Sequence, residues 1–494
     1  MKSRILSLAG DTLTYGIFIL IGRFLTFLLT PFYTNFLTVE EVGDVGNFFA
    51  LIAFVNVIYS FGMDAAYFRF YHKDDIEQCK VAFSYSYLAI ACISFIFTIG
   101  LLFFSGNFAH YLTNLPDKVT IVRLAVLVPF TDCLMVVPYA YLRMTRQVGK
   151  FSIIRFLLIV VAVALNIYFV VIQRVGIKGV FYAQLIANLV GLAIFLPIIL
   201  RQFLLKWNYK LFKEMLFFGL PTVPATFSGM ILQVVDRPIL KYLTDSQQVG
   251  IYMVNYRLAI PMMLFVAMYD YAWRPFYLTH YESMDSKELF ARIFKYFVYF
   301  SSIIFLLNSF FIEYFIRIPF FGGYFIEPSY WVGLDIVPIV MLGYVFNGYY
   351  INFTAGINIQ KKTKYLPIAV GISALTNVVL NLILIPFISF RGAAWATLVA
   401  YFISAAVIYY YSQKVYPIKY EWKKISLIFF LMLFVFLVTE FFTFGNKLEI
   451  RFLYKLLALI IFIILPFVLN IFNRNEKDVF TNFFKTLFLI KKNK

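Results

Sequence analysis

The sequence predicts an all-α polytopic membrane protein with about 14 transmembrane helices, built as two six-helix lobes related by a pseudo-two-fold axis plus two extra C-terminal helices. Three observations lead to this fold class. The 494 residues are 62% hydrophobic and 14% charged, whereas a soluble domain is roughly 25% charged. Apolar stretches of membrane-spanning length recur along the chain. Several short motifs occur twice, in the same order.

The apolar stretches set the number of spans, because a membrane helix needs about 20 mainly apolar residues. The candidate spans cover residues 12–36, 45–62, 81–104, 120–142, 151–172, 180–200, 214–236, 251–275, 293–316, 333–358, 365–388, 393–412, 425–444 and 452–472. We expect the first stretch to be a transmembrane helix and not a signal peptide. Its apolar run is too long, and no small-residue cleavage site follows it.

The positions of Lys and Arg indicate how the spans are oriented. With the amino terminus inside, the inner connections and the C-terminal tail carry about three times as many Lys and Arg as the outer loops. Positive residues favour the cytoplasmic side, so both termini are expected in the cytoplasm. This topology, beside anionic lipid headgroups, accounts for most of the net charge of +18. No nucleic acid partner is expected.

Paired motifs indicate an internal duplication. The stretch "GMDAAYFRFY" at Gly62–Tyr71 resembles "MYDYAWRPFY" at Met268–Tyr277, and "KGVFYAQLIA" resembles "RGAAWATLVA" further along. Upstream, Pro31, Val42 and Gly43 match Pro238, Val249 and Gly250.

The duplicated unit contains six spans, and an even number gives both copies the same orientation. The predicted domains are therefore an N-lobe at 1–208, a C-lobe at 209–416, and a segment at 417–494 with spans 13 and 14 and a basic cytoplasmic tail. Parallel repeats of this kind commonly hold a substrate site at their interface, which is reached alternately from each side. A structural membrane protein with an accidental repeat is the alternative.

The repeated motif carries charged residues at the cytoplasmic end of an even-numbered helix in each lobe. Asp64 and Arg69 lie in the first copy, and Asp270 and Arg274 lie in the second. The second pair has the spacing of a helical ion pair. These four residues are interfacial anchors or, alternatively, a cytoplasmic gate at which the two lobes meet.

The sequence resembles a known group, the polysaccharide and lipid-linked oligosaccharide flippases of the multidrug/oligosaccharidyl-lipid/polysaccharide (MOP) superfamily. The segments "DTLTYGIFILIGRFLTFLLTPFYTNFLTVEEVGDVG", "FGMDAAYFRFY" and "VVDRPILKYLTDSQQVGIYMVNYRLA" carry the resemblance, together with the arrangement of spans. It covers about residues 8–415. It implies transport of a polyprenyl-diphosphate-linked oligosaccharide from the cytoplasmic to the outer leaflet of a bacterial inner membrane. The implied partners are this substrate, membrane lipids and other polysaccharide assembly proteins.

Charged residues deep in a span are costly and usually face a cavity or a partner. The candidate cavity residues are Arg23, Asp132, Asp236, Arg237, Arg257, Asn347 and Asn352. Arg23 is expected to bind diphosphate, or else to pair with Asp132, which in turn takes up a proton or forms a fixed salt bridge. Three of the other candidates have an alternative to a role in the cavity. Arg237 could snorkel to the interface, and the two asparagines could serve helix packing.

Three further cations, Arg155, Lys295 and Lys455, are expected to snorkel to the membrane surface. The sequence has no Walker A motif, catalytic triad or metal-ligand cluster, and its three cysteines lack paired spacing. We therefore expect a transporter and not an enzyme, with no cofactor, and with H⁺ or Na⁺ as the candidate coupling ion.

Two other functions remain open. A cation-coupled multidrug or small-solute exporter of the same superfamily would favour twelve spans and an acidic cavity. A sugar-lipid polymerase or ligase would need a large outer loop, and none of the predicted loops is long enough.

Overall fold

The structure is a computed structural model that describes residues 20–72, 74–113, 115, 117–206, 208–445, 447–473 and 476. Within these residues, twelve helices are long and apolar enough to cross a membrane, and one bent helix pair brings the number to thirteen. The predicted class, an all-α polytopic membrane protein, is confirmed. The first predicted span, 12–36, begins outside the described residues, so the count of fourteen stays a prediction.

The helices follow one another with short connections. Their bounds are α1, of which residues 20–27 are described, α2 Thr30–Phe36, α3 Val39–Ser60, α4 Met63–Phe70, α5 Ile76–Phe103, α6 Ser105–Leu112, α7 Lys118–Cys133, α8 Val136–Met144, α9 Val148–Asn166, α10 Ile177–Gln202, α11 Tyr209–Gly219, α12 Val223–Val234, α13 Asp236–Leu243, α14 Ser246–Leu258, α15 Ile260–His280, α16 Ser286–Phe315, α17 Ile336–Ile359, α18 Tyr365–Ile388, α19 Phe390–Val415, α20 Trp422–Thr443 and α21 Leu448–Val468. A π-helix covers Ile167–Ile172, 3₁₀ turns cover Leu220–Thr222 and Pro328–Gly333, and the antiparallel strands β1 Pro319–Phe320 and β2 Gly323–Tyr324 form a hairpin.

Side-chain caps fix where several helices begin. Thr38 and Glu41 form a capping box at the start of α3, with Thr38 Oγ1 accepting from the Glu41 amide at 3.2 Å and Glu41 Oε2 accepting from the Thr38 amide at 2.9 Å. Asp245 caps α14 by accepting from the Gln248 amide at 2.8 Å. Such caps satisfy amides that have no partner inside the helix. The segments 36–43 and 242–250, which the repeat pairs, therefore both begin helices.

Contacts between described residues divide the chain into two units. One comprises Met1–Phe276 and Ile316–Tyr416, and the other comprises Tyr277–Phe315 and Pro417–Lys494. Helix α16, which the predicted C-lobe includes, therefore groups with α20 and α21 in the second unit. The predicted lobes follow sequence repetition and not contact density, so the division at 208 and 416 stays a prediction.

Two buried lysines hold the second unit together. Lys295 is 1% exposed, and its Nζ lies 2.5 Å from Glu421 Oε2 and 2.9 Å from a carboxylate oxygen of Glu476. Lys455 is 2% exposed and pairs with Glu313 at 3.0 Å and with Glu440 at 2.9 Å. The prediction that both lysines snorkel is wrong, because carboxylates on neighbouring segments compensate their charges inside the unit.

In the first unit, α3 and α14 cross with their backbones in contact. A Cβ built on Gly43 would overlap the Ser246 carbonyl, and one built on Gly250 would overlap the Val39 carbonyl. Glycine allows this approach, as it does where membrane helices pack most closely. Gly43 and Gly250 are counterparts in the predicted repeat, and here they contact each other.

Candidate functional site

Four of the short breaks between consecutive described helices in the first unit are followed by a proline within three residues. The breaks and their prolines are 28–29 with Pro31, 134–135 with Pro138, 235 with Pro238, and 259 with Pro261. Proline is tolerated in the first turn of a helix because that amide has no helical partner. Broken helices inside a membrane expose backbone groups, and they characteristically surround the binding sites of transporters.

The breaks also position most of the predicted cavity residues. Arg23 lies about five residues before the first break, Asp132 two before the second, and Arg257 two before the fourth, while Asp236 and Arg237 directly follow the third. The fourth break bends the chain by 51° between α14 and α15. Long polar side chains near these points can turn towards the space between helices.

Two adjoining cavities lie where the broken helices meet α9. The first has a volume of about 450 Å³ and is lined by Arg23, Arg155 and Arg257 among mainly apolar side chains. The second, of about 440 Å³, is lined by Arg155, Arg257 and Asp132 among others. Both also include Thr26. We refer to these two adjoining cavities together as the arginine cavity.

The three arginines of the cavity lack an acidic partner among the described residues. In the part of the chain that the structure describes, no carboxylate oxygen lies within 4.0 Å of their side-chain nitrogens. The alternative prediction for Arg23, an ion pair with Asp132, is therefore not observed. Guanidinium groups that line one space and form no ion pair among the described residues favour the binding of an anion.

Amide side chains are the main polar groups around Asp132. Asn56 and Asn188 lie beside its carboxylate, and Arg155 acts on it at longer range. Asn188 Nδ2 also donates to Thr131 Oγ1 at 2.9 Å. With three guanidinium groups and this one carboxylate, the arginine cavity carries a net positive charge.

Polar groups extend the second part of the cavity. Tyr33 Oη donates to Asn166 Oδ1 at 2.6 Å, and Gln184 Nε2 donates to Asn188 Oδ1 at 3.0 Å. All four side chains line this part, as does Tyr139. Such groups can exchange hydrogen bonds with a polar ligand.

Asp236 and Arg237 are not among the residues that line the arginine cavity. Asp236 is 3% exposed, and its carboxylate accepts from Tyr252 Oη at 2.5 Å and from the Arg237 amide at 2.9 Å. The Arg237 guanidinium lies 5.7 Å from the ring centroid of Tyr256. The predicted roles of Asp236 and Arg237 in binding stay predictions.

The two asparagines of α17 also lie away from the arginine cavity. Asn352 is fully buried, its Nδ2 donates to Tyr269 Oη at 2.5 Å, and its carbonyl accepts from Trp273 Nε1 at 3.3 Å. This placement favours the packing alternative for Asn352. Asn347 is half-buried on the same helix and does not line either described cavity.

The candidate gate residues differ between the two copies of the motif. Arg274 Nε donates to Asp270 Oδ1 at 2.7 Å, which is the ion pair that the spacing indicated. Asp64 and Arg69 lie on α4, and the described residues show no ion pair between them. Just before α4, Gly62 approaches Gly219 so closely that a Cβ on Gly219 would lie 2.7 Å from the Gly62 carbonyl oxygen. A gating role for the four charged residues stays a prediction.

A buried polar network at the start of α3 was not predicted. Asp44 is fully buried, and its carboxylate lies 3.1 Å from Lys241 Nζ and accepts hydrogen bonds from the hydroxyls of Thr113 and Ser246. We call these four residues the Asp44 network. The sequence-based span began at residue 45, which left Asp44 in a loop. The capping box at Thr38 is the sequence signal that places it inside a helix.

Arg155 was also assigned differently from the sequence. It was expected to snorkel, yet it lines both parts of the arginine cavity. Because α9 begins at Val148, Arg155 lies about two turns into the helix instead of one.

The chain is similar in sequence to one protein family and in fold to several solved structures. A family model described as polysaccharide biosynthesis protein matches residues 8–278. The fold is similar to that of the lipid II flippase MurJ in an inward closed conformation, with a TM-score of 0.72, 17% sequence identity, and coverage of 91% of this chain and 98% of that one.

Two structures of multidrug resistance MATE family transporters of the MOP superfamily are also similar. The inward-facing one has a TM-score of 0.60, 15% identity and coverage of 82% of this chain and 97% of that one. The outward-facing one has a TM-score of 0.52, 14% identity and coverage of 82% and 95%. No curated protein sequence matches significantly. The expected class, a transporter and not an enzyme, is confirmed by the family and the fold.

Proposed function

Because the chain belongs to the polysaccharide biosynthesis protein family of MOP-superfamily transporters, we propose that it flips a polyprenyl-diphosphate-linked oligosaccharide from the cytoplasmic to the outer leaflet. The proposed substrate is the repeat unit of a surface polysaccharide. The proposed topology has fourteen spans in two related six-helix lobes plus two C-terminal helices. It crosses a bacterial plasma membrane with both termini in the cytoplasm.

The three unpaired arginines carry the proposal. A diphosphate presents several anionic oxygens, and guanidinium groups bind such oxygens through paired, charge-assisted hydrogen bonds. Arg23, Arg155 and Arg257 approach one space from three different helices, so a diphosphate there could contact more than one of them. The free energy of each hydrogen bond to a charged group is about 1.5–3 kcal/mol.

The neighbouring part of the cavity suits the sugar. Tyr139, Asn166, Gln184 and Asn188 line it and offer hydroxyl and amide groups to sugar hydroxyls. The polyprenyl tail can remain in the bilayer, since only the polar head is costly to move through hydrocarbon. The protein would therefore shield a head group and leave the tail outside.

Alternating access requires that one side closes while the other opens. The contact of Gly43 with Gly250 and the Asp44 network hold α3, α13 and α14 together at the end assigned to the outer face. The higher structural similarity to inward-facing than to outward-facing transporters supports an outer-closed state. Gly43 and Gly250, which correspond in the predicted repeat, meet at this closure. Their contact supports a mechanism in which two lobes move against each other.

The proposal can be tested by reconstitution. The full chain is placed in proteoliposomes with a polyprenyl-diphosphate oligosaccharide, and movement of the sugar between leaflets is followed with an impermeant sugar-modifying enzyme. We expect Arg23→Ala and Arg257→Ala to lower the flipping rate at least about tenfold, from the loss of one charge-assisted contact. Arg292→Ala, an exposed residue that pairs with Glu288, is the matched control. Its rate should equal that of the wild type.

The result also separates the alternatives. Normal flipping by the cavity variants would refute the role of the arginines. Absence of flipping by the wild type, together with ion-driven export of a cationic drug, would favour the exporter of the same superfamily.

A further inference from the structure

A second cleft, separate from the arginine cavity, lies between α5 and the start of α11. Its volume is about 680 Å³, within the range of roughly 300–1,000 Å³ typical of small-molecule sites. Its walls are mainly apolar and include Leu88, Ala89 and Cys92 on α5 and Phe212 and Leu216 on α11. Because α5 is a candidate membrane span, an apolar cleft along it has the chemistry to take an acyl chain.

A polar cavity adjoins the apolar cleft. Its volume is about 670 Å³, and Lys206 and Tyr209 line both spaces. Charged groups of both signs surround it: the cations are Lys206 and Lys210, and the carboxylates are Asp75, Glu77 and Glu214. An apolar space that opens onto a polar one of mixed charge matches the two parts of a phospholipid.

The wall between the two spaces is fixed by hydrogen bonds. Tyr85 Oη donates to the Lys206 carbonyl at 2.8 Å and accepts from the Asn208 amide, and Ser84 Oγ accepts from the Leu204 amide at 2.7 Å. Lys206 also pairs with Glu77 across the polar cavity. Residues 204–206 and 208, between α10 and α11, are thereby held against α5.

We propose that this site binds one phospholipid with a zwitterionic amine headgroup, such as phosphatidylethanolamine. An acyl chain occupies the apolar cleft, the phosphate lies near Lys206 and Lys210, and the ammonium lies near Glu77 and Glu214. The three carboxylates disfavour a purely anionic headgroup, since two lysines do not offset them. The site lies where the predicted lobes join, so the lipid fastens this connection to α5.

Native mass spectrometry of the full chain tests the proposal. The protein is purified from membranes that contain phosphatidylethanolamine and phosphatidylglycerol, and retained lipids are identified. We expect one retained phosphatidylethanolamine on the wild type and at least tenfold lower occupancy on Ala89→Trp, which fills the cleft. Ile96→Trp changes an exposed residue of the same helix outside the cleft and should retain the lipid.

The headgroup is tested by a second variant. Lys206→Gln combined with Lys210→Gln should lose the phosphatidylethanolamine even if Ala89→Trp cannot be purified. Equal retention by this double variant and the wild type would overturn the headgroup assignment. Retention of phosphatidylglycerol, or of a polyprenyl phosphate, in place of the amine lipid would overturn the proposed ligand. None of these outcomes depends on flipping activity.

Discussion

The Asp44 network should set how firmly the outer side is closed. Asp44 lies 3.1 Å from Lys241 Nζ, and the Lys241 side chain is only 11% exposed. Asp44→Asn removes the charge of this buried partner. Removing one member of a buried ion pair costs about 3–5 kcal/mol of stability. We expect a cost near ~3 kcal/mol, because the hydroxyl of Ser246 remains as a partner of the Lys241 ammonium. If the network forms only in the closed state, about 3 kcal/mol shifts the equilibrium towards opening by roughly 100-fold.

Access to the arginine cavity from outside measures this shift. A single cysteine replaces Thr26, which lines both parts of the cavity, in a chain without native cysteines. An impermeant thiol reagent added to the outer face should label it up to about 100-fold faster in Asp44→Asn, in line with the calculated shift. Glu40→Gln removes a carboxylate from the same end of α3 and should label at the wild-type rate.

The double variant isolates the charge. Asp44→Asn with Lys241→Met leaves no unpaired buried ammonium, so its labelling rate should fall between those of the wild type and Asp44→Asn. Equal labelling of Asp44→Asn and Glu40→Gln would refute the reasoning that this network holds the outer side closed.

Three further outcomes are expected. Gly250→Ala places a methyl group into a backbone carbonyl of α3 and should lower the melting temperature in detergent by several degrees; Gly229→Ala, which meets nothing within 4 Å, should not. Lys455→Met removes the buried cation from Glu313 and Glu440, which keep Arg451 as a partner at 3.1 and 3.9 Å. It should lower the free energy of unfolding by about 3 kcal/mol, the lower end for a broken buried pair, and exposed Lys423→Met should leave it unchanged in chemical denaturation. Arg155→Ala removes a cation from the arginine cavity and should slow flipping at least about tenfold. Flipping by this variant at the wild-type rate would support the snorkeling interpretation instead.

The spans could be read from the sequence because hydrocarbon imposes one requirement on every segment. Backbone groups in lipid must bond within their own helix, so long apolar runs become helices almost regardless of context. The predicted span 365–388 coincides with α18, while 45–62 missed the first residues of α3. Glu40, Glu41 and Asp44 make this turn polar, and Gly43 and Asp44 are buried where they contact α14 and not by lipid. Hydropathy cannot detect such burial.

The site was harder to predict, because depth along a helix does not give direction around it. Arg23 and Arg257 were expected in a cavity and line one, yet Arg155, at a comparable depth, was assigned to the interface. The prolines after the helix breaks were a more direct signal. Pro31 and Pro238 correspond in the predicted repeat, and each lies in the first turn of the helix that follows a break. Combining breaks with nearby charges would have marked Asp132 and Arg257 together.

Helix α14 connects the outer closure to the arginine cavity. Gly250 meets α3 near its beginning, and Arg257 lies in its last turn, about 10 Å further along the axis at 1.5 Å per residue. The helix is short, capped by Asp245 at one end and broken at Ala259 at the other, so it can move as a rigid piece. If α14 moves as one piece away from α3, Arg257 moves relative to Arg23 and Arg155. Under the proposed function, we expect opening of the outer side to weaken the binding of the diphosphate and so to favour its release.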